Sequence, residues 1–232
     1  MDRTERLYKI DLLLNEQQDQ AIDAFIEAVQ NDPDTSELHF ALGNLFRRRG
    51  EYERAVRVHQ HLLSRADLSP DDRHRAQHAL ALDFLKAGLL DRAEDALNKL
   101  EGTRFEAQAR LGLLANYERS RDWAQAAQIA HKLETSGQGS FHTRQAHYLC
   151  EQAQACIANH AHDQATELLL QAISIAPEAA RARMELAQLQ QAQGQAQLAF
   201  ETPSSALDAA PAATALIAPA LASYAIEAGQ TA

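Results

Sequence analysis

Leu42–Leu63 reads LGNLFRRRGEYERAVRVHQHLL, and the layout of this stretch decides the fold. Leu42-Gly43, Phe46, Ala55 and Leu62 follow a large-small-aromatic-small-large order, with Gly50 between two amphipathic segments. A glycine there suits the left-handed cap at which a helix ends and the chain reverses, so the stretch predicts helix, tight turn, helix. Its second half has an echo upstream: Glu53–Leu62 (ERAVRVHQHL) matches Asp19–Ala28 (DQAIDAFIEA), placing Ala21 and Ala55 34 residues apart. A fixed period of that length marks stacked helical units, none of which buries its apolar face alone.

Following the small residue of each second helix gives Ala21, Ala55, Ala93, Ala126, Ala165 and Ala199, at separations of 34, 38, 33, 39 and 34. The two longer steps predict inserts near Leu68–Asp72, where Ser69, Pro70 and Asp71 supply cap chemistry, and near Ser136–Ser140 (SGQGS). Each later anchor follows a turn: Arg49-Gly50-Glu51, Ala87-Gly88-Leu89, Ser120-Arg121-Asp122, His160-Ala161-His162 and Gln193-Gly194-Gln195. Pro33 and Pro177 stand where second helices stop. Phe84, Tyr117 and Cys156 take the place of Phe46, and Tyr52, Leu90 and Trp123 open second helices. These residues resemble the tetratricopeptide (TPR) pattern. The expected fold is all-α, a right-handed superhelical solenoid of TPR helix-turn-helix repeats.

One array is expected over 2–232, with repeats near 2–35, 36–69, 74–106, 107–139, 146–179 and 180–213 and a partial first helix at 214–229. Pro203 falls inside the expected second helix of the sixth repeat, where it removes a backbone donor at a cost of roughly 3 kcal/mol or more, and predicts a kinked or shortened helix. Pro219 predicts a late start for the last one, whose packing side is expected at Leu221, Ala222 and Ala225. Without a closing polar helix after it, the chain reads as part of a longer protein.

Composition narrows the function. The 232 residues carry a formal charge of -10, with 46% apolar and only 6% aromatic residues. Such an acidic balance opposes nucleic acid or an anionic lipid surface as the main ligand, since both need a basic face. Cys150 and Cys156 lie about 9 Å apart along one expected helix at ~1.5 Å per residue, too far for a disulfide, which fits a reduced, cytoplasmic setting. The sequence holds no signal peptide or membrane-length apolar run, no Gly-rich phosphate loop, no HExxH and no nucleophile elbow, so an enzyme is not expected. His74 and His78 stand one turn apart, but without a nearby completing ligand they read as an exposed polar face rather than a metal site.

First helices of stacked TPR units line an inner wall. Repeat spacing selects as groove-facing residues Phe40, Asn44, Arg47 and Arg48, then Arg75, His78, Leu82, Leu85 and Lys86, then Leu111, Glu118 and Arg119, all but Glu118 being taken as protein-binding candidates. Arg181, Met184 and Gln188 follow. Cations and apolar side chains on one wall of an acidic protein suit an acidic-hydrophobic peptide or helix. The competing reading of Arg47-Arg48-Arg49 is a solvated helix end favoured by the dipole. Arg47 and Lys86 are both expected to be exposed. Asn44 offers an amide to a ligand backbone, yet Phe40, Ala79, Gln108 and Gly112 occupy the places where a chaperone-tail carboxylate clamp needs its other polar residues.

Leu42–Leu63, the Ser69-Pro70 insert, Ala87–Leu100 (AGLLDRAEDALNKL), Leu12–Ala21 (LLLNEQQDQA), Trp123–Leu133 and His147–Glu151 closely resemble the lipopolysaccharide assembly protein B family, LapB or YciM. Asn44, Arg47 and His59-Gln60 belong to that resemblance and lie outside the generic TPR pattern. It implies an adaptor at the cytoplasmic side of the Gram-negative inner membrane, restraining lipopolysaccharide synthesis by bringing the LpxC deacetylase to the FtsH protease. It also implies an N-terminal membrane anchor and a C-terminal rubredoxin-like module holding iron or zinc through two Cys-x-x-Cys pairs. This sequence has neither, so no cofactor is expected on it and it should behave as a soluble cytoplasmic fragment. The alternative is a TPR scaffold that forms a homo-oligomer or organises envelope-assembly enzymes without a proteolytic role.

Overall fold

The computed structural model describes residues 18–31, 35–209, 214–227 and 229. Among them are twelve α-helices and no strand. The chain divides after Asn116 into two compact units, and the division falls within one helix. The first unit holds α1 (Gln18–Asn31), α2 (Ser36–Arg48), α3 (Tyr52–Ser64), α4 (Pro70–Ala87), α5 (Leu90–Asn98) and most of α6 (Glu106–Ser120). The second holds the end of α6, then α7 (Trp123–Thr135), α8 (His142–Ala158), α9 (His162–Ile175), α10 (Ala180–Ala192), α11 (Ala196–Ala209) and α12 (Thr214–Glu227). The expected first helix of the first repeat and residues 210–213 lie outside the described residues.

Successive helices from α1 to α5 and from α7 to α12 pack on one another, and first helices also touch: α2 with α4, and α10 with both α8 and α12. The small anchors explain the close approach. Ala55, Ala93, Ala126 and Ala165 are fully buried and Ala199 is 1% exposed; the side chain of Ala21 lies outside the described ones. Around them, Ile22, Phe25, Leu38, Leu42, Leu45 and Phe46 form one apolar cluster of the first unit. Leu149, Cys150, Leu169, Leu186 and Leu189 join the buried alanines of α8 to α10 in the second. α4 starts as its sequence suggests, with Pro70 in the first turn and the Ser69 hydroxyl accepting from the Asp72 N–H at 3.1 Å.

The turns repeat one geometry. Glu51, Leu89, Asp122, Ala161 and Gln195 each donate a backbone N–H, at 2.9 Å, to the carbonyl five residues back: Phe46, Phe84, Tyr117, Cys156 and Gln190. This Schellman closure requires a left-handed residue just before the donor. Gly50, Gly88 and Gly194 supply it with φ of 81°, 77° and 76°. Arg121 and His160 take the same place with φ of 59° and 60°, although each carries a Cβ. Left-handed backbone costs an ordinary residue about 1–2 kcal/mol, part of which a glycine returns through the entropy of its unfolded chain. Arg121→Gly should therefore raise stability by about 0.5–1 kcal/mol, read as a higher urea midpoint at unchanged slope.

The two late prolines neither shorten nor delay their helices. α11 is not shortened: it runs from Ala196 through a buried Pro203 to Ala209. The helix is held on both sides, α10 and α12 packing against it, and Thr202 Oγ1 donates to Gln190 Oε1 of α10 at 2.8 Å. Tertiary burial here outweighs the local cost of proline. α12 likewise starts at Thr214, five residues before Pro219. Its packing side is Ile217 and Tyr224, with Leu221 half-buried and Ala222 exposed.

Candidate functional site

The wall that α2 and α4 make in the first unit gathers most of the candidate residues, and it is built around a buried carboxylate. Asp83 and His59 are both 0% exposed. His59 Nδ1 lies 2.5 Å from Asp83 Oδ2; a carboxylate only accepts, so that nitrogen carries the proton. Arg47, with 17% of its side chain exposed, donates through one terminal nitrogen to Asp83 Oδ1 at 2.8 Å and to the Ala79 carbonyl at 3.1 Å. Its other terminal nitrogen donates to Asn44 Oδ1 at 2.5 Å. His59 Nε2 faces Gly43 and has no partner; a Cβ on Gly43 would sit 2.4 Å from it.

This geometry corrects three expectations. Arg47 is an internal tie between α2 and α4, not an exposed binding residue. Phe40 is 1% exposed and packs with Leu62, Leu68 and Ala76, so it does not line a groove. Leu85 is buried as well. In each case the side chain turns inward, Arg47 toward α4 and Phe40 toward both α3 and α4, and repeat spacing alone does not separate such positions from the open face.

The remaining candidates of the first unit do reach the surface. Arg48 and Lys86 are exposed in the last turns of α2 and α4, where a cation also suits the helix dipole. Asn44 and Leu82 are half-buried, and Leu111 on α6 is 45% exposed. Arg75 is committed at the opposite end of the wall: its guanidinium pairs with Glu37 and lies 4.1 Å over the Phe40 ring. Arg119 is exposed but belongs to the second unit.

His78 is half-buried and stacks on Phe105 at 5.6 Å. Burial, then the Arg47 charge, holds its imidazole below the ordinary histidine range. The unfolded chain therefore takes up this proton first as pH falls. Stability from His78 is present above about pH 6.5 and is lost as pH drops toward its folded value. His78→Gln should flatten the fall of the urea midpoint just below that pH.

A second set of side chains joins the first helices of the second unit. Arg181 on α10 donates to Glu151 at 2.8 Å, to Glu185 at 2.6 Å and to His147 Nδ1 at 2.7 Å. Tyr148 is 1% exposed, donates its hydroxyl to Glu118 and stacks on Trp123 at 5.9 Å. Arg181 is therefore a cross-helix tie like Arg47, and Met184 packs against Ala180 and Ile217. Among the described residues no group of three or more His, Cys, Asp or Glu is placed to hold a metal ion, and no helix is long and apolar enough to cross a membrane.

Asp83 and the partnership of His59 are what sequence reasoning missed. The available signal was a single carboxylate inside the apolar run Ala79–Leu85 (ALALDFL), which a buried helix carries only when something pairs it.

Residues 38–74, which contain Asn44, Arg47 and His59, match the tetratricopeptide repeat family model. Lipopolysaccharide assembly protein B of Escherichia coli (strain K12) is 36% identical over 194 residues, covering 83% of this chain and 50% of that protein. The chain is a TPR protein related to the LapB/YciM family. The Haemophilus influenzae protein of the same name is 33% identical over 215 residues, covering 87% of this chain and 53% of its own length. The chain thus spans about half the length of the relatives it matches. A tetratricopeptide repeat protein from Parabacteroides merdae superposes with a TM-score of 0.49 at 15% identity, covering 93% of this chain and 81% of that one. The rubredoxin-like metal that the resemblance implies does not fit the two cysteines present. Six residues apart on α8, they form no Cys-x-x-Cys pair, and burial, then Glu185, pushes the Cys150 thiol up to about 11.

Proposed function

We propose that this chain is a non-catalytic scaffold that binds protein partners in lipopolysaccharide assembly, using the α2/α4 wall of its first unit. The observation that carries this reading is the pair of exposed cations, Arg48 and Lys86, flanking half-buried Asn44 and Leu82 in a chain of charge -10. Cations concentrated there against an acidic whole favour a partner presenting acidic and apolar side chains together. The relatives' name, lipopolysaccharide assembly protein, supplies the process.

The narrower reading within this proposal is an adaptor whose client is the LpxC deacetylase and whose second partner is the FtsH protease. Calorimetric titration of the chain with each purified protein tests it, beside the mass of the chain in solution across a wide concentration range. Binding of both proteins by a monomer supports the adaptor. A mass that rises with concentration, with neither protein bound, supports a self-associating scaffold instead.

A further inference from the structure

The buried pair His59–Asp83 holds Arg47, and Arg47 holds Asn44. Each link has a fixed direction of donation. His59 Nδ1–H gives to Asp83 Oδ2, and the Arg47 guanidinium gives to Asp83 Oδ1 and, 2.5 Å away on its other nitrogen, to Asn44. A guanidinium has donors and no acceptor, so the Asn44 atom facing it is the amide oxygen, and the orientation of the amide is settled by its partner. What Asn44 has left is its NH2 group with two N–H donors, on a half-buried residue beside Leu82 and the exposed Arg48 and Lys86. Two N–H donors fixed in direction match the carbonyl of an extended peptide backbone, and the flanking cations match acidic side chains on either side of it.

We propose that Asp83 and Arg47 are positioning residues for Asn44, fixing its amide to donate to a main-chain carbonyl of an extended, acidic peptide segment of a partner. This rests on the protein-binding reading of the same wall and adds how the partner's backbone is held. It also gives Arg47 a role that its burial leaves open. A mobile asparagine would lose its side-chain freedom on binding, and an asparagine already tied does not. Arginine's planar fork sets one nitrogen on Asp83 and Ala79 and a second, separate one on Asn44, whereas lysine offers a single nitrogen position for all three acceptors.

Arg47→Lys is the discriminating variant: it keeps the charge beside Asp83 and removes the second arm. The readout is the NMR order parameter of the Asn44 side-chain amide, assigned by its disappearance in Asn44→Ala. The expected value in the unaltered chain is that of rigid backbone, about 0.85, falling below about 0.6 in Arg47→Lys while the backbone values of α2 and α4 stay the same. A merely structural Arg47 would move the melting temperature but not this contrast. The probe is then added: a pool of acetylated, amidated dodecapeptides of Asp, Glu, Leu and Ala in random order. It should shift the Asn44 amide signal, and Arg47→Lys should weaken the effect roughly three- to tenfold. An Asn44 amide as loose in the unaltered chain as in Arg47→Lys overturns the relay, whatever the peptides do. A rigid amide that the pool does not shift overturns the peptide-backbone role and counts against the protein-binding reading of this wall.

Discussion

Asp83→Ala is expected to cost about 3–5 kcal/mol of unfolding free energy, a large fraction of the 5–15 kcal/mol typical of a folded protein. The residue is 0% exposed and its carboxylate is the shared acceptor of His59 and Arg47. Removing it leaves a buried imidazole N–H with no acceptor and a mostly buried guanidinium with no counter-charge, both far costlier than the packing lost with one carboxylate. The loss is read as a lower urea midpoint. Replacing the whole set at once, with Asp83→Leu, His59→Phe and Arg47→Met, should recover most of it, because buried ion pairs and well-packed apolar groups of similar size are close in net worth. Failure of Asp83→Ala to destabilise by more than about 1 kcal/mol would mean that the network is solvated in solution.

Gly43→Ala is the second large effect, and its cause is a single neighbour. A Cβ at this position would lie 2.4 Å from His59 Nε2 and 2.5 Å from Cε1. The ring has no room to yield, since its other nitrogen is held by Asp83 and the side chain is fully buried. Overpacking of this kind costs about 1–3 kcal/mol, against roughly 1 kcal/mol gained from alanine's better helix propensity. The net expectation is a destabilised protein, although the same substitution in an open helix stabilises. In a His59→Ala background the clash is gone and Gly43→Ala should turn neutral or stabilising. A double-mutant cycle with no coupling between the two sites would place the imidazole elsewhere.

Much of the architecture was legible in the sequence because the constraints that set it are local. A left-handed cap needs a glycine, or an unusual residue in its place, so Gly50, Gly88 and Gly194 announce turns. A close helix approach needs a missing side chain, so Ala55, Ala93, Ala126 and Ala165 announce packing seams. Pro203 and Pro219 misled for the converse reason: local cost was visible, whereas the burial of Pro203 and Ile217 and the packing of α10 and α12 on α11 were not.

The site was less legible. Repeat spacing assigns a residue to a helix face, but separating the seam between two first helices from the open side needs the register of α2 on α4. Arg47 reaches Asp83 across 36 residues of sequence, and no local pattern encodes that partnership. The resemblance to a known family did point to Asn44, Arg47 and His59 as a set outside the generic repeat, and the structure links them in one network: His59 and Arg47 share the Asp83 carboxylate, and Arg47 donates to Asn44.

The most direct measurement is calorimetric titration of the chain with purified LpxC deacetylase, repeated with Arg48→Glu/Lys86→Glu. Both residues are exposed at helix ends and carry no structural tie in the wall, unlike Arg47. The expected result is micromolar or tighter binding by the unaltered chain, weakened at least about tenfold in the variant, whose melting temperature falls only by the small amount that reversing two charges at helix C-termini costs. Binding of equal strength in both would contradict recognition through the α2/α4 wall.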